Sequence, residues 1–297
     1  MIGVVNLDKP VGPTSHDMVG LLRRLTGTRR IGHAGTLDPL ASGTLPILVG
    51  AATRFSDELT GGRKRYDAVI RLGQRSVTDD AEGPILPSGA PVPDDETIRR
   101  GVATFGGTFE QRPPTYSARK LDGRTAHRAA RRGETMELPA RPVTVDGVDV
   151  LGIERGVDVT DGRVDLRCGP GTYVRSIARD LGELLGCGGH VHALRRTMAA
   201  GLLVADGWTP DALERLAGEG RLVDALLPVA PLIGLPQVQL GEADAWRFEH
   251  GSTVWPQGTS AIGRVKVLDA AGRLLGIGEA DAEMLRPAKV LPAEARA

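Results

Sequence analysis

Two cysteines in 297 residues, Cys168 and Cys187, make neither a disulfide framework nor a Cys-x-x-Cys metal knuckle, and both read as buried small residues. No apolar run approaches the ~18 residues that cross a bilayer. Residues 1–8 lack a basic segment and a cleavage site, so a cytoplasmic protein is expected. There is no P-loop, no dinucleotide fingerprint and no cluster with metal-ligand spacing, so no motif in the sequence marks a cofactor or metal site. Aromatic residues are only 3%, so the three tyrosines, Tyr66, Tyr116 and Tyr173, each carry weight. Net charge is also missing, with 37 Lys and Arg against 37 Asp and Glu, which at first counts against a nucleic-acid partner.

The charge is unevenly spread. Residues 1–133 hold 20 Lys and Arg against 14 Asp and Glu, leaving 17 against 23 in the remainder. Basic pairs recur in the first half at Arg23 and Arg24, Arg29 and Arg30, 63–65, and Arg131 and Arg132. They could neutralise phosphates along one face, although solvated helix faces give similar runs. At 41% hydrophobic and 25% charged residues the chain has globular composition and room for a large domain with a small appendage.

Residues 32–46 organise the rest. Glycines at 32, 35 and 43 and prolines at 39 and 46 predict a loop rather than a helix or a central strand, held by Leu37, Leu40 and Leu45. Asp38 precedes Pro39, which biases it toward an extended backbone. Taken alone, Asp38 is either an Asx-type turn former or a carboxylate aimed by its backbone.

Before this loop, a strand at 4–8 leads to the turn at 10–13, and Thr14 or Ser15 caps a helix that Gly27 ends. After it, 47–50 reads as a strand, 51–59 as a short helix, and Tyr66, Ala68, Ile70 and Leu72 alternate along a half-buried strand. Asp94, Asp95 and Glu96 supply a cap and an acidic first turn to a helix through about Phe105, and 107–111 is a strand. Residues 124–132 read as a basic helix. A hairpin over 143–168 feeds a glycine loop and a helix after Tyr173, with apolar positions at Val174, Ile177, Ala178, Leu181 and Leu185. Arg175 lies in its first turn, where the helix dipole disfavours a cation unless a carboxylate answers, and Asp38 is the candidate. His190 and His192 share a strand face, a spacing that does not by itself make a metal pair. Beyond the proline-rich stretch at 227–231 come short glycine-punctuated strands.

The run G-H-A-G-T-L-D-P-L-A-S-G-T-L resembles the catalytic loop of the TruB family, the bacterial tRNA pseudouridine-55 synthases. Four further runs resemble family motifs: L-D-K-P-V-G-P-T-S at 7–15, K-R-Y-D-A-V-I-R-L-G at 64–73, P-P-T-Y-S-A-R-K at 113–120 and G-T-Y-V-R-S at 171–176. The resemblance implies an α+β catalytic domain, residues 1–228, with a mixed, mainly antiparallel sheet and flanking helices. Residues 112–142 would be a loop covering RNA, and 229–297 a small PUA-like β-barrel.

By the same resemblance Asp38 is the catalytic residue, Arg175 its partner, and Tyr66 the ring that stacks on the flipped base, against the plain reading of a core tyrosine. His33 would insert into the RNA, or else be a structural histidine. Tyr173 and Leu194 would line the pocket, Lys120 would belong to the covering loop, and Lys9 would steady the catalytic loop or touch RNA unless it is simply a surface lysine. The substrate implied is the T stem-loop of tRNA, met by a monomer. Two other functions share features: a guide-dependent RNA-modifying subunit, which should carry a more basic C-terminal region, and a non-catalytic tRNA-folding module, which needs neither Asp38 nor Arg175.

Overall fold

The computed structural model describes residues 1–116, 120–121, 124–125, 138–254 and 261–292, with backbone alone at 120–121 and 124–125. Strand β1 (Gly3–Lys9) is buried and ends at the predicted turn. Thr14 caps α1 (Ser15–Thr26) in a capping box: its hydroxyl accepts from Asp17 N–H, while its own N–H donates to the Asp17 carboxylate at 2.8 Å. Gly27, at φ +66°, closes the helix.

Strands β2 (Ile31–His33) and β3 (Ala41–Val49) pair antiparallel, so only 34–40 is loop. The expectation of a loop over all of 32–46 is corrected here. Gly43 and Pro46 are unfavourable strand residues by propensity, but local geometry requires or tolerates them. A methyl on Gly43 would stand 2.2 Å from the Arg196 carbonyl oxygen, and Pro46 still accepts a bond from Ala34 N–H at 2.9 Å.

A 3-10 turn (Gly50–Phe55) and α2 (Ser56–Thr60) follow, then β4 (Lys64–Leu72), whose side chains alternate as predicted. Next come β5 (Gln74–Ser76), β6 (Ile85–Pro87), the Asp94-capped α3 (Asp95–Ala103) and β7 (Gly107–Gln111). Strands β8 (Lys120–Leu121) and β9 (Arg124–Thr125) form a short hairpin. Arg124 and Thr125 are therefore strand rather than helix; the rest of the expected basic helix lies outside the described residues. The long pair β10 (Arg141–Arg155) and β11 (Thr160–Cys168) precedes α4 (Val174–Leu184) and β12 (Gly189–Ala199). The chain ends with β13 (Leu202–Leu203), α5 (Pro210–Gly218), β14 (Leu226–Leu227), β15 (Gln237–Gln239), α6 (Glu242–Glu249), β16 (Gly263–Leu268), β17 (Leu274–Ala280) and β18 (Leu285–Val290).

These elements gather into two compact units. One contains 38–43 and 63–198. Its strands run β3, β12, β4, β11, β10, β7; β12 pairs parallel with β3 through Leu194 and Ala41, whereas β4, β11, β10 and β7 are antiparallel. That is the mixed, mainly antiparallel sheet expected, and helix α4 buries Val174, Ile177, Ala178 and Leu181.

The other unit joins 1–37, 44–62 and 199–297. Its four-stranded sheet β15, β16, β17, β18 occupies the stretch where the resemblance implies a small PUA-like β-barrel. This domain shares a core with the N-terminal residues: Val4, Leu48, Phe55 and Leu59 cluster with Leu268, Ile277 and Leu291. Glu58, 2% exposed at its side chain, takes Arg264 at 2.5 Å and Lys289 at 3.1 Å. Phe55→Ala should therefore cost about 3–5 kcal/mol in urea unfolding, because it empties a fully buried site to which separate chain segments contribute. A loss below about 1 kcal/mol would show that this shared core does not hold.

Candidate active site

Asp38 is aimed by backbone bonds on both sides. The Ser15 hydroxyl accepts from Leu37 N–H at 2.8 Å and donates to Leu37 O at 2.9 Å. On the other side, Asp38 O accepts Ala41 N–H at 3.0 Å, and Pro39 restricts the residue between. The carboxylate is left 36% exposed, with one oxygen 2.9 Å from Arg175 Nε.

Arg175 lies in the first turn of α4, 7% exposed at its side chain, and answers the dipole problem with more than one acceptor. Its guanidinium donates to Thr78 O at 3.1 Å and Tyr116 O at 2.9 Å. Its Nε–H is not aligned on Asp38, so that contact is Coulombic, an ion pair rather than a directed hydrogen bond. A second carboxylate, Asp80, lies 3.4 Å from Nη1 and is almost fully buried. Asp80 in turn accepts from Thr78 Oγ1 at 2.5 Å and Glu82 N–H at 3.1 Å.

Sequence reasoning missed Asp80. One carboxylate, Asp38, suffices for the helix-dipole argument at Arg175, and the run Thr78-Asp79-Asp80-Ala81-Glu82-Gly83 reads as a polar loop. Two adjacent acids in a glycine-bounded turn were the available signal, since a buried arginine has room for more than one anion.

Tyr66 is buried on β4, opposite Leu166 on β11. Burial pushes its hydroxyl above the usual phenol range, while the Arg196 guanidinium, also hydrogen-bonded to it, pulls the other way; Asp38 is among the charges acting on it. Arg196 is 1% exposed, and Leu194, two residues earlier on β12, is buried too. Lys64, two residues before Tyr66, is brought down to about 8 by burial and by Arg196. Neither Arg196 nor Lys64 was singled out from the sequence, although period-two alternation from Leu194 and Tyr66 reaches both. Directly across from Lys64, burial pushes the Cys168 thiol up to about 11, consistent with an inert core cysteine.

Tyr173 immediately precedes α4 and is clamped through its backbone. Its N–H donates to Gln111 Oε1 at 2.8 Å, and Gln111 Nε2 donates to its carbonyl at 3.1 Å. The Arg141 guanidinium lies 5.8 Å from the Tyr173 ring centre. Asp38, Tyr66, Tyr173, Arg175 and Leu194 thus belong to one unit.

His33 ends β2 opposite Ile47, half-buried. Lys9 is fully buried and donates to Pro10 O at 2.8 Å and Pro13 O at 2.7 Å, so the surface-lysine alternative is corrected: its ammonium braces the 10–13 turn. The side chain of Lys120 lies outside the described residues. Burial holds His190 below the ordinary imidazole range, and among the described residues no three His, Cys, Asp or Glu side chains converge as metal ligands.

The chemistry this arrangement allows is specific. A part-exposed carboxylate is fixed against a buried cation, and a buried phenol lies within its electrostatic reach. Such a carboxylate can act as nucleophile or base toward a group brought to its open side, while the cation restrains its position.

Residues 23–174 match the TruB family pseudouridylate synthase N-terminal domain. Residues 175–232 match the tRNA pseudouridylate synthase B C-terminal domain, and 236–291 the C-terminal domain of pseudouridine synthase II TruB. A tRNA pseudouridine synthase B of Thermobifida fusca is 46% identical, over 93% of this chain and 94% of the relative. The protein of that name from Acaryochloris marina is 41% identical, over 99% and 100%. Among solved structures, a chain of a Cbf5-Nop10-Gar1 complex superposes with a TM-score of 0.76 at 26% identity, over 99% of this chain and 86% of that one. With the family's domains matched in order along the chain and near-full-length relatives above 40% identity, the chain belongs to the TruB family of pseudouridine synthases.

Proposed function

We propose that this chain is the tRNA pseudouridine-55 synthase of its cell, with Asp38 as the catalytic residue. The observation that carries the reading is the Asp38–Arg175 ion pair, formed between two of the runs that resemble family motifs. The reaction breaks the C1′–N1 bond of uridine, turns the base and joins C1′ to C5; C5 gives up its proton and N1 ends protonated. Atoms and electrons balance within the nucleotide, so no cofactor is consumed.

The target base must leave its stack, which costs a few kcal/mol. Stacking on Tyr66 offsets it, at roughly 1–3 kcal/mol per base. Asp38 meets C1′ or the base from its open side, and the buried Tyr66 hydroxyl relays the C5 proton, giving up its own as it takes that one. Tyr173 and Leu194 close the pocket walls, and His33 enters the RNA where the base departs. Residues 112–142, Lys120 among them, cover the stem-loop. Lys9 acts through the 10–13 turn rather than through RNA. Residues 1–228 are the catalytic domain and 229–297 a small PUA-like domain that shares core residues with the N-terminal segments, in a cytoplasmic monomer.

Similarity to a chain from a Cbf5 complex raises a second reading, a guide-dependent modifying subunit. The acidic second half and the near-full-length relatives named tRNA pseudouridine synthase B favour the first. Incubation of the purified chain with an isolated T stem-loop, without guide RNA or cofactor, separates them. One pseudouridine at the position of uridine 55 is expected, because one stem-loop offers phosphates enough for the basic half. No product without a guide would overturn the assignment.

A further inference from the structure

The turn at 78–80 grips two arginines of α4 that lie one helical turn apart. Thr78 O and the Asp80 carboxylate hold Arg175, as described. Asp79, between them, points its carboxylate to Arg179, with Oδ2 3.1 Å from Nη1. Asp79 also adopts φ +61°, one of only two non-glycine residues with positive φ among the described residues. That conformation is disfavoured for an L-residue. It places two consecutive carboxylates on successive arginines, and Val191 N–H donating to Asp79 O at 3.0 Å holds it.

Arg179 reaches in a second direction. Its Nη2 donates to Arg112 O at 3.0 Å, and the same carbonyl receives the Ser176 hydroxyl at 2.8 Å. Four residues on, Tyr116 O receives Arg175 at 2.9 Å. The segment 112–116 begins the region proposed to cover RNA, so its backbone is fastened to the two arginines that also hold the 78–80 turn.

We infer that Asp79 and Arg179 are positioning residues for the Asp38–Arg175 pair, locking the 78–80 turn and the 112–116 segment onto α4 so that Arg175 presents Asp38 in one geometry. This rests on the proposed role of Asp38. Both act through Arg175, whose Nε lies 2.9 Å from the Asp38 carboxylate.

The pair has a titration of its own. Burial pushes the Asp79 carboxyl up to about 6; Arg179 and Arg175 pull it down, and Asp180 pushes it up. The surrounding charges are Arg175, Arg179, Asp180 and Glu183 on α4, Asp80 on the same turn, and Arg112 on the fastened segment. Above about pH 6 Asp79 is ionised and the pair is formed; as pH falls through about 6 the pair is lost. Because its folded value lies above the ordinary carboxylate range, the ionised form is disfavoured by folding. Removing the charge therefore should not reduce stability at neutral pH.

The test is single-turnover pseudouridine formation on the T stem-loop from pH 5 to 8.5, with RNA Kd and melting temperature, for the parent, Asp79→Asn and Arg179→Lys. Asparagine tolerates positive φ, so it removes charge without adding strain. Expected for Asp79→Asn at pH 7.5 are a rate about tenfold lower, a Kd within twofold, a melting temperature at or above the parent's, and no inflection near pH 6. Arg179→Lys keeps a charge but loses the fork that spans Asp79 and Arg112 O, so its rate should be intermediate. A parent-like rate and pH profile in Asp79→Asn, or a rate loss matched by lower stability and weaker binding, would overturn the inference. Should Asp79→Asn not fold, the same holds for Arg179→Lys: an intermediate rate with unchanged melting supports the pair, and a parent-like rate removes it. An active Asp38→Asn control would sink the reading of the site beneath it, whereas an inactive control beside a parent-like Asp79→Asn sinks only this pair.

Discussion

Asp38→Asn should abolish pseudouridine formation, by about 10⁴-fold or more, while leaving the fold intact and RNA affinity within about tenfold, ~1.4 kcal/mol. Loss of a buried ion-pair partner ordinarily destabilises a protein, because it strands a charge. Here Arg175 is not stranded. It keeps the Asp80 carboxylate at 3.4 Å, Thr78 O at 3.1 Å and Tyr116 O at 2.9 Å, and asparagine fills nearly the volume of aspartate. Asp38 is also part-exposed, with its backbone fixed by Ser15 and Ala41, so its amide replacement has solvent for its unmet bonds. Denaturant unfolding, filter-binding affinity and release of tritium from C5-labelled substrate measure the three quantities separately. Equal losses of binding and rate would contradict a catalytic role.

Gly43→Ala should cost about 3–5 kcal/mol of stability, from left-handed strain and overpacking together. Gly43 sits at φ +105°, and its missing Cβ would stand 2.2 Å from Arg196 O and 2.9 Å from Arg196 C and N. These are backbone atoms of the strand paired with it, so no rotamer change relieves the clash. Either β3 moves from β12 or both bend. The consequence reaches the site, because β3 begins three residues after Asp38 and β12 carries Leu194 and Arg196. Urea unfolding gives the magnitude against a typical total of 5–15 kcal/mol. A loss below about 1 kcal/mol would mean that the two strands have slack that their close approach denies.

Much of this was legible in the sequence because local signals agreed with the fold. The Thr14 cap and Gly27 stop, the alternation from Tyr66 to Leu72, and the Asp94 cap all produced the predicted elements. The need for an anion at the first turn of α4 pointed from Arg175 to Asp38, and the two lie in contact. What was misread depended on partners distant in sequence. Gly43 and Pro46 look like loop residues until the Arg196 backbone is known to lie against Gly43. Asp80 looks like loop polarity until Arg175 is known to reach it, and Lys9 looks exposed until the turn at 10–13 folds over its ammonium. The appendage reading of the C-terminal strands carried no sign that Phe55 and Ile277 share a core, since apolar periodicity tells which face is buried but not against what.

The most direct test of the central claim is to map pseudouridine by position in an unmodified tRNA transcript after incubation with the parent and with Asp38→Asn, no guide RNA or cofactor being added. A single new pseudouridine at position 55 is expected with the parent and none with the variant, at RNA concentrations where both bind. Conversion of uridine 55 by Asp38→Asn, or modification by the parent elsewhere and not at 55, would contradict it.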